Sequence, residues 1–204
     1  MELMIQKLIN SAVQIVLFTL IPFIWWLITA RKECGFFTWI GLKHIKGAKE
    51  NKTLLWTLGI IIGFMALSSY MLYSLRGVEM ATSEFNGLGA AAIPAILVYA
   101  ILNTSLPEET VFRGFLLKRI SSKFGFHAGN LIQAALFGIM HGVMFFSYTG
   151  IIKAVVITFF TGTIGWFMGY VNEKKAGGSI IPGWCIHALA NIFSGLCAAF
   201  MIFK

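Results

Sequence analysis

The chain has 204 residues, of which 58% are hydrophobic and 12% charged. A soluble domain carries about 25% charged residues, so this sequence has too little polar surface to cover itself in water and enough apolar surface to sit in lipid. Its net charge is +8, but Lys and Arg fall in short loops between apolar runs rather than on one soluble face, which argues against nucleic-acid binding and for encoded membrane topology.

Six apolar runs approach the roughly 20 residues that a spanning helix needs, at 8–30, 53–75, 88–106, 128–147, 151–171 and 179–203. The first is long and is followed directly by Arg31 and Lys32. It therefore reads as an uncleaved membrane helix rather than a signal peptide. The third is expected to continue past Pro107 as an amphipathic helix to about residue 122, with Pro107 kinking it or starting a new helix. On the fifth, Gly162, Gly165 and Gly169 place small residues along one side, as close helix packing requires. The fold class expected is all-α, a polytopic transmembrane helical bundle forming a single membrane domain over residues 1–204. Cys34, Cys185 and Cys197 are odd in number and lack Cys-x-x-Cys spacing. That pattern suits neither a disulfide framework nor a structural zinc site, and all three are expected to be small packing residues.

Orientation follows from the basic residues. Arg31, Lys32, Lys43, Lys46, Lys49, Lys52, Arg113, Lys118, Arg119, Lys123, Lys174 and Lys175 fall on one side of the six runs, against Lys7, Arg76, Lys153 and Lys204 on the other. The positive-inside rule places the first group in the cytoplasm and both termini outside.

The chain contains no Asp and eight Glu, of which only Glu108 and Glu109 lie deep in an apolar helix. Ionisable groups at membrane depth are costly and mark function. Glu109 and Arg113 are four apart, with the acid on the N-terminal side, so they share a helix face and suit an ion pair. Such a pair either locks helices together or belongs to a site. Glu108 is rotated by about 100° from its neighbour and has to find another partner, the situation of a carboxylate poised for general-base work. His44 and His127 lie at the edges of the apolar runs and are expected to be solvated. His141 and His187 sit inside spans, and His187 and Asn191 share a face of the last helix. At about 1.5 Å per residue, Glu108, His141 and His187 can meet at one depth. Cys185 is two residues from His187, so the two point apart and do not suit a cysteine nucleophile.

These residues form a familiar pattern. Glu108-Glu109-Thr110-Val111-Phe112-Arg113 resembles the Glu-Glu-x-x-x-Arg motif of the CPBP intramembrane proteases, the Abi group that includes CAAX prenyl endopeptidases and bacteriocin-processing proteins. Phe137 to His141 resembles their Phe-x-x-x-His motif, and His187 to Asn191 their His-x-x-x-Asn motif. The order and spacing also fit, over a core of about residues 88–195.

The resemblance implies an endopeptidase with a site inside the membrane, open to the cytoplasmic side. Glu108 and His141 would activate the attacking water, His187 and Asn191 would hold the oxyanion, and Glu109, Arg113 and Phe137 would support them. It also favours a glutamate-based reaction without a cofactor. Two His and a Glu can bind zinc with an open fourth position, so Glu108, His141 and His187 are the donors if a metal is used. The expected substrate is a leader-type peptide or a membrane-protein tail, in the bilayer of a bacterial cell, and oligomeric state is unknown. Two other readings stand beside this one. One is a non-proteolytic bacteriocin-immunity or scaffold protein of the same fold. The other is a transporter, disfavoured because no internal repeat is visible.

Overall fold

The structure is a computed structural model that describes residues 2–45 and 49–203. Lys46 and Lys204, counted in the charge asymmetry, lie outside the described residues, as do the side chains of Lys49 and Glu50. Among the described residues all regular structure is helical. Helix α1 (Glu2–Thr29) is followed by a short helix α2 (Phe36–Ile40) and by α3 (Lys49–Ser74). After a loop with two single 3₁₀ turns, α4 (Ile93–Val98) begins a continuous helical path. That path runs through α5 (Leu106–Glu109) and α6 (Lys118–Tyr170), and α7 (Ile181–Ala199) closes the bundle.

Four helical segments are long and apolar enough to cross a membrane: Glu2–Thr29, Asn51–Ser74, Gly89–Lys175 and Ile181–Ala199. The polytopic helical bundle read from the sequence is therefore present. The long Gly89–Lys175 segment is not one straight helix: its path turns back on itself twice, at Gly125 and Gly150, where the backbone leaves the helical conformation. Gly125 (φ 80°, ψ 163°) and Gly150 (φ 73°, ψ 175°) adopt conformations essentially confined to glycine. Around them the helical stretches fold into antiparallel hairpins. Gly129 faces Ser121 and Leu117 across the first corner, and Gly138, Gly142 and Gly165 face Gly162, Thr158 and Ala134 across the second. The expected close packing of Gly162, Gly165 and Gly169 is this second interface.

Pro107 neither ends nor restarts the helix. Proline has no N–H and its ring crowds the carbonyl one turn back. Here α5 is flanked by π-helical turns at Tyr99–Ser105 and Thr110–Leu117, whose wider spacing keeps the chain helical past the ring. Single π turns of this kind are frequent at functional sites.

The helices differ in how far they are enclosed. Of the most apolar window of α1, 6% is buried, against 39% for α7, so α1 offers its surface to lipid while α7 forms the centre. Ile60 from α3, Phe112, Phe137, Ile164, Met168, Val171 and Ile186 form one core around the middle of the bundle. A second core, of Phe85, Ala92, Ala95, Ile96, Tyr99, Ala100 and Ala199, seals one end.

The polar connections gather at the two ends. At one, Lys118 Nζ donates to Glu173 Oε1 (2.6 Å) and to the Gly178 carbonyl (2.8 Å), Ser179 Oγ donates to the Lys43 carbonyl, and Thr53 Oγ1 donates to that of Lys175. At the other, Lys7 pairs with Glu84 (2.5 Å) and Lys153 Nζ reaches the Ser74 carbonyl. The cysteines depart from expectation: Cys197 is buried and Cys34 half-buried, but Cys185 is exposed, so it packs no core.

Candidate active site

The site is built where the π-flanked helix α5 meets α7. Glu109 and Arg113 are completely buried, and Arg113 Nη1 donates to Glu109 Oε1 at 2.8 Å. The one-turn spacing seen in the sequence gives this pair directly. His187, from α7, adds a second donor, with its Nδ1 lying 3.2 Å from the same Glu109 oxygen. A carboxylate only accepts, so this nitrogen carries the proton. The opposite ring nitrogen, Nε2, then faces Glu108 Oε2 at 3.8 Å. The two adjacent acids are thus divided by burial and partner. Glu109 is enclosed and accepts from Arg113 and His187 at Oε1, whereas the Glu108 side chain keeps 17% exposure; the Oε2 of each has no hydrogen-bond partner among the described residues.

Phe137 packs among these groups. The Arg113 guanidinium lies over its ring at 4.2 Å, the His141 ring centre is 4.5 Å away, and the His187 ring meets its edge at 5.7 Å. Its backbone takes part as well, because His141 Nδ1 is 2.9 Å from the Phe137 carbonyl. A carbonyl also only accepts, so His141 is held with the proton on Nδ1 and Nε2 left free. His141 stands within electrostatic reach of Glu108, His187 and Arg113. On the next turn of α7, Asn191 Nδ2 donates to Thr104 Oγ1 (2.8 Å) and to Ser105 Oγ (3.2 Å), the hydroxyls one turn before the two acids.

All seven residues singled out in the sequence therefore come from α5, the turns after it, α6 and α7 into one region. His44 and His127 are exposed and take no part. Three participants were not singled out. Thr104 and Ser105 orient Asn191. Asn172, fully buried in the π turn Val171–Lys175, accepts the Gly183 N–H of α7 through Oδ1 at 2.8 Å. The spacing of Thr104 to Glu108 and of Ser105 to Glu109, four residues in each case, was available as a signal. Asn172 lies 15 residues from the nearest motif residue and had none.

Among the described residues no three His, Cys, Asp or Glu side chains are gathered so as to hold a metal ion. Of the three donors proposed for a metal, His141 and His187 both contact the Phe137 ring, and Glu108 faces His187.

The type II CAAX prenyl endopeptidase Rce1-like family matches residues 90–193. The chain belongs to the Rce1-like family. This is the CPBP group that the three motifs resemble, and an Rce1-like protein with these helices is an integral membrane protease acting on peptides. The match covers α4 to the middle of α7 and includes every site residue described above. No curated protein and no solved structure matches the chain.

Proposed function

We propose that this protein is an intramembrane endopeptidase in which Glu108 and His141 activate water against a peptide bond of a leader-type or membrane-associated substrate. The observation that carries the reading is the unequal pair of acids. Glu109 is fully buried and tied at Oε1 by Arg113 and His187, while Glu108, one residue away, is partly exposed and turns Oε2 towards the second nitrogen of His187.

In this reading a water between Glu108 and His141 Nε2 gives a proton to the Glu108 carboxylate as its oxygen bonds to the scissile carbonyl carbon and the carbonyl π bond opens. The carbonyl becomes an oxyanion, which His187 Nε2, in its doubly protonated form, and Asn191 Nδ2, on turning the N–H that it gives to Ser105, stabilise by donation in a site with little water. The acquired proton then passes to the leaving amine nitrogen as the C–N bond breaks. Arg113 and Glu109 supply no proton; they hold His187 in place. No step needs a metal ion. The basic end of the bundle is assigned to the cytoplasm by the positive-inside rule, so substrate enters from that side, in a bacterial membrane.

The test is cleavage of quenched peptides, with and without a prenyl group, by protein reconstituted in liposomes. Cleavage of unprenylated peptides, unchanged by a strong chelator, is expected. Cleavage that stops with chelator and returns with zinc would replace the glutamate mechanism by a metal one. Cleavage of prenylated peptides alone would overturn the substrate class.

A further inference from the structure

Of the buried polar atoms at the site that have no hydrogen-bond partner among the described residues, which include Glu108 Oε2 and Arg113 Nε and Nη2, two lie beside one glycine: Nδ2 of Asn172, a donor, and Oε2 of Glu109, an acceptor. Both residues are fully buried. Buried orphans of this kind are rare and each calls for an explanation. They converge on Gly183, in the first turn of α7. A Cβ placed on that glycine would lie 2.6 Å from Asn172 Nδ2 and 2.8 Å from Glu109 Oε2. The two atoms are therefore separated by at most the sum of those lengths, about 5.4 Å. The missing side chain of Gly183 leaves the donor and the acceptor within a distance that a single bridging water can span.

We propose that Asn172 is a positioning residue that holds the second oxygen of Glu109 through its amide N–H, while its carbonyl oxygen anchors α7 at the Gly183 N–H. Glu109 is then held at both oxygens, by Arg113 and His187 at Oε1 and by Asn172 at Oε2. The role is indirect: a fixed carboxylate fixes His187 Nδ1, and with it the direction in which His187 Nε2 meets Glu108. It also gives the loop between the end of the Gly89–Lys175 path and α7 a task, since one amide ties both to the acid on α5. The catalytic consequence rests on the hydrolytic reading above, but the contact itself does not.

The experiment is a pairwise exchange read by thermal unfolding of the full chain in detergent. Asn172→Asp keeps the acceptor for Gly183 but turns a carboxylate towards Glu109. It is expected to lower Tm by at least about 2–4 °C, a resolvable shift for a chain of this size. Adding Glu109→Gln restores a donor–acceptor pair in the reverse sense, so although that change by itself weakens the Arg113 pair, the loss in the double variant should be smaller than the sum of the two single losses. Additive losses would overturn the proposal. If Asn172→Asp yields no folded protein, recovery of folded protein in the double variant supports the contact, and failure to recover overturns it. With a cleaved peptide in hand, Asn172→Asp should lower kcat by about 10- to 100-fold, as small misplacements do, with KM unchanged; a change in KM alone would overturn the positioning role. Absence of cleavage by the wild type would remove the hydrolytic reading and leave the thermal result to decide the contact.

Discussion

Arg113 is the most enclosed charge in the bundle, and three sides of it are accounted for: Glu109 at Nη1, the face of Phe137 at 4.2 Å, and Gly165, whose added Cβ would meet Nη2 at 3.0 Å. Replacing Arg113 with Leu leaves Glu109 ionised and buried with only His187 beside it. Breaking a buried pair from one side costs about 3–5 kcal/mol, and a large fall in Tm is the expected result. Arg113→Lys should recover only part of it, because an ammonium lacks the planar group that lies over Phe137. At this scale the sequence was informative where spacing carries chemistry. The four-residue step from Glu109 to Arg113, and from His187 to Asn191, was visible before any coordinates. Asn172 carried no signal of spacing, and for Thr104 and Ser105 the four-residue step to the acids was a weak one, for a physical reason. Hydroxyls in apolar helices commonly bond the carbonyl one turn back, as Ser11 and Thr110 do here. The letters alone therefore do not separate Thr104 and Ser105, which receive Asn191, from these.

Among the elements, the two glycine corners and the tight hairpin after Gly150 decide whether His141 and Phe137 reach the acids. Gly165→Ala would set a Cβ 3.0 Å from Arg113 Nη2 and 3.1 Å from the Phe137 ring. Overpacking of this kind costs about 1–3 kcal/mol, and because the displaced groups frame the site, cleavage should fall along with Tm. Gly63→Ala is the control: nothing lies within 4 Å of its added Cβ, so Tm and cleavage should stay near wild type. At Gly150 the space is open but φ is +73°. Gly150→Ala should therefore destabilise by about 1–3 kcal/mol through backbone strain alone. The hydrophobic runs placed these helices well, since apolar length is what a bilayer selects. The continuation of the helix past Pro107 was also expected from the amphipathic stretch to about residue 122; what the runs could not show is the π turns at Tyr99–Ser105 and Thr110–Leu117 on either side of it, which leave no mark in hydropathy.

For the whole molecule, the charge asymmetry read from the sequence becomes a spatial one. Lys43, Lys118, Glu173 and Lys175 are tied together at one end, and Lys7, Glu84 and Lys153 are tied down at the other. The proposed orientation can be read directly. In a variant without native cysteines, Lys32→Cys should react with an impermeant thiol reagent only in inside-out vesicles, and Glu79→Cys only in right-side-out ones. The opposite pattern would invert the site with respect to the cytoplasm. The family match spans residues 90–193, so α1, α2 and most of α3 are the part of the fold for which the sequence offered length and polarity but no motif.

The most direct test of the account is the rate of peptide cleavage by Glu108→Gln compared with wild type, measured beside the Tm of each in the same detergent. Glu108 is partly exposed and its Oε2 has no hydrogen-bond partner among the described residues, so the amide should fold with little change in Tm. Without a carboxylate to take the proton of water, its kcat should fall by at least about 100-fold, the lower range for general-base catalysis. A Glu108→Gln enzyme that folds normally and cleaves at the wild-type rate would contradict the assignment of Glu108 as the base.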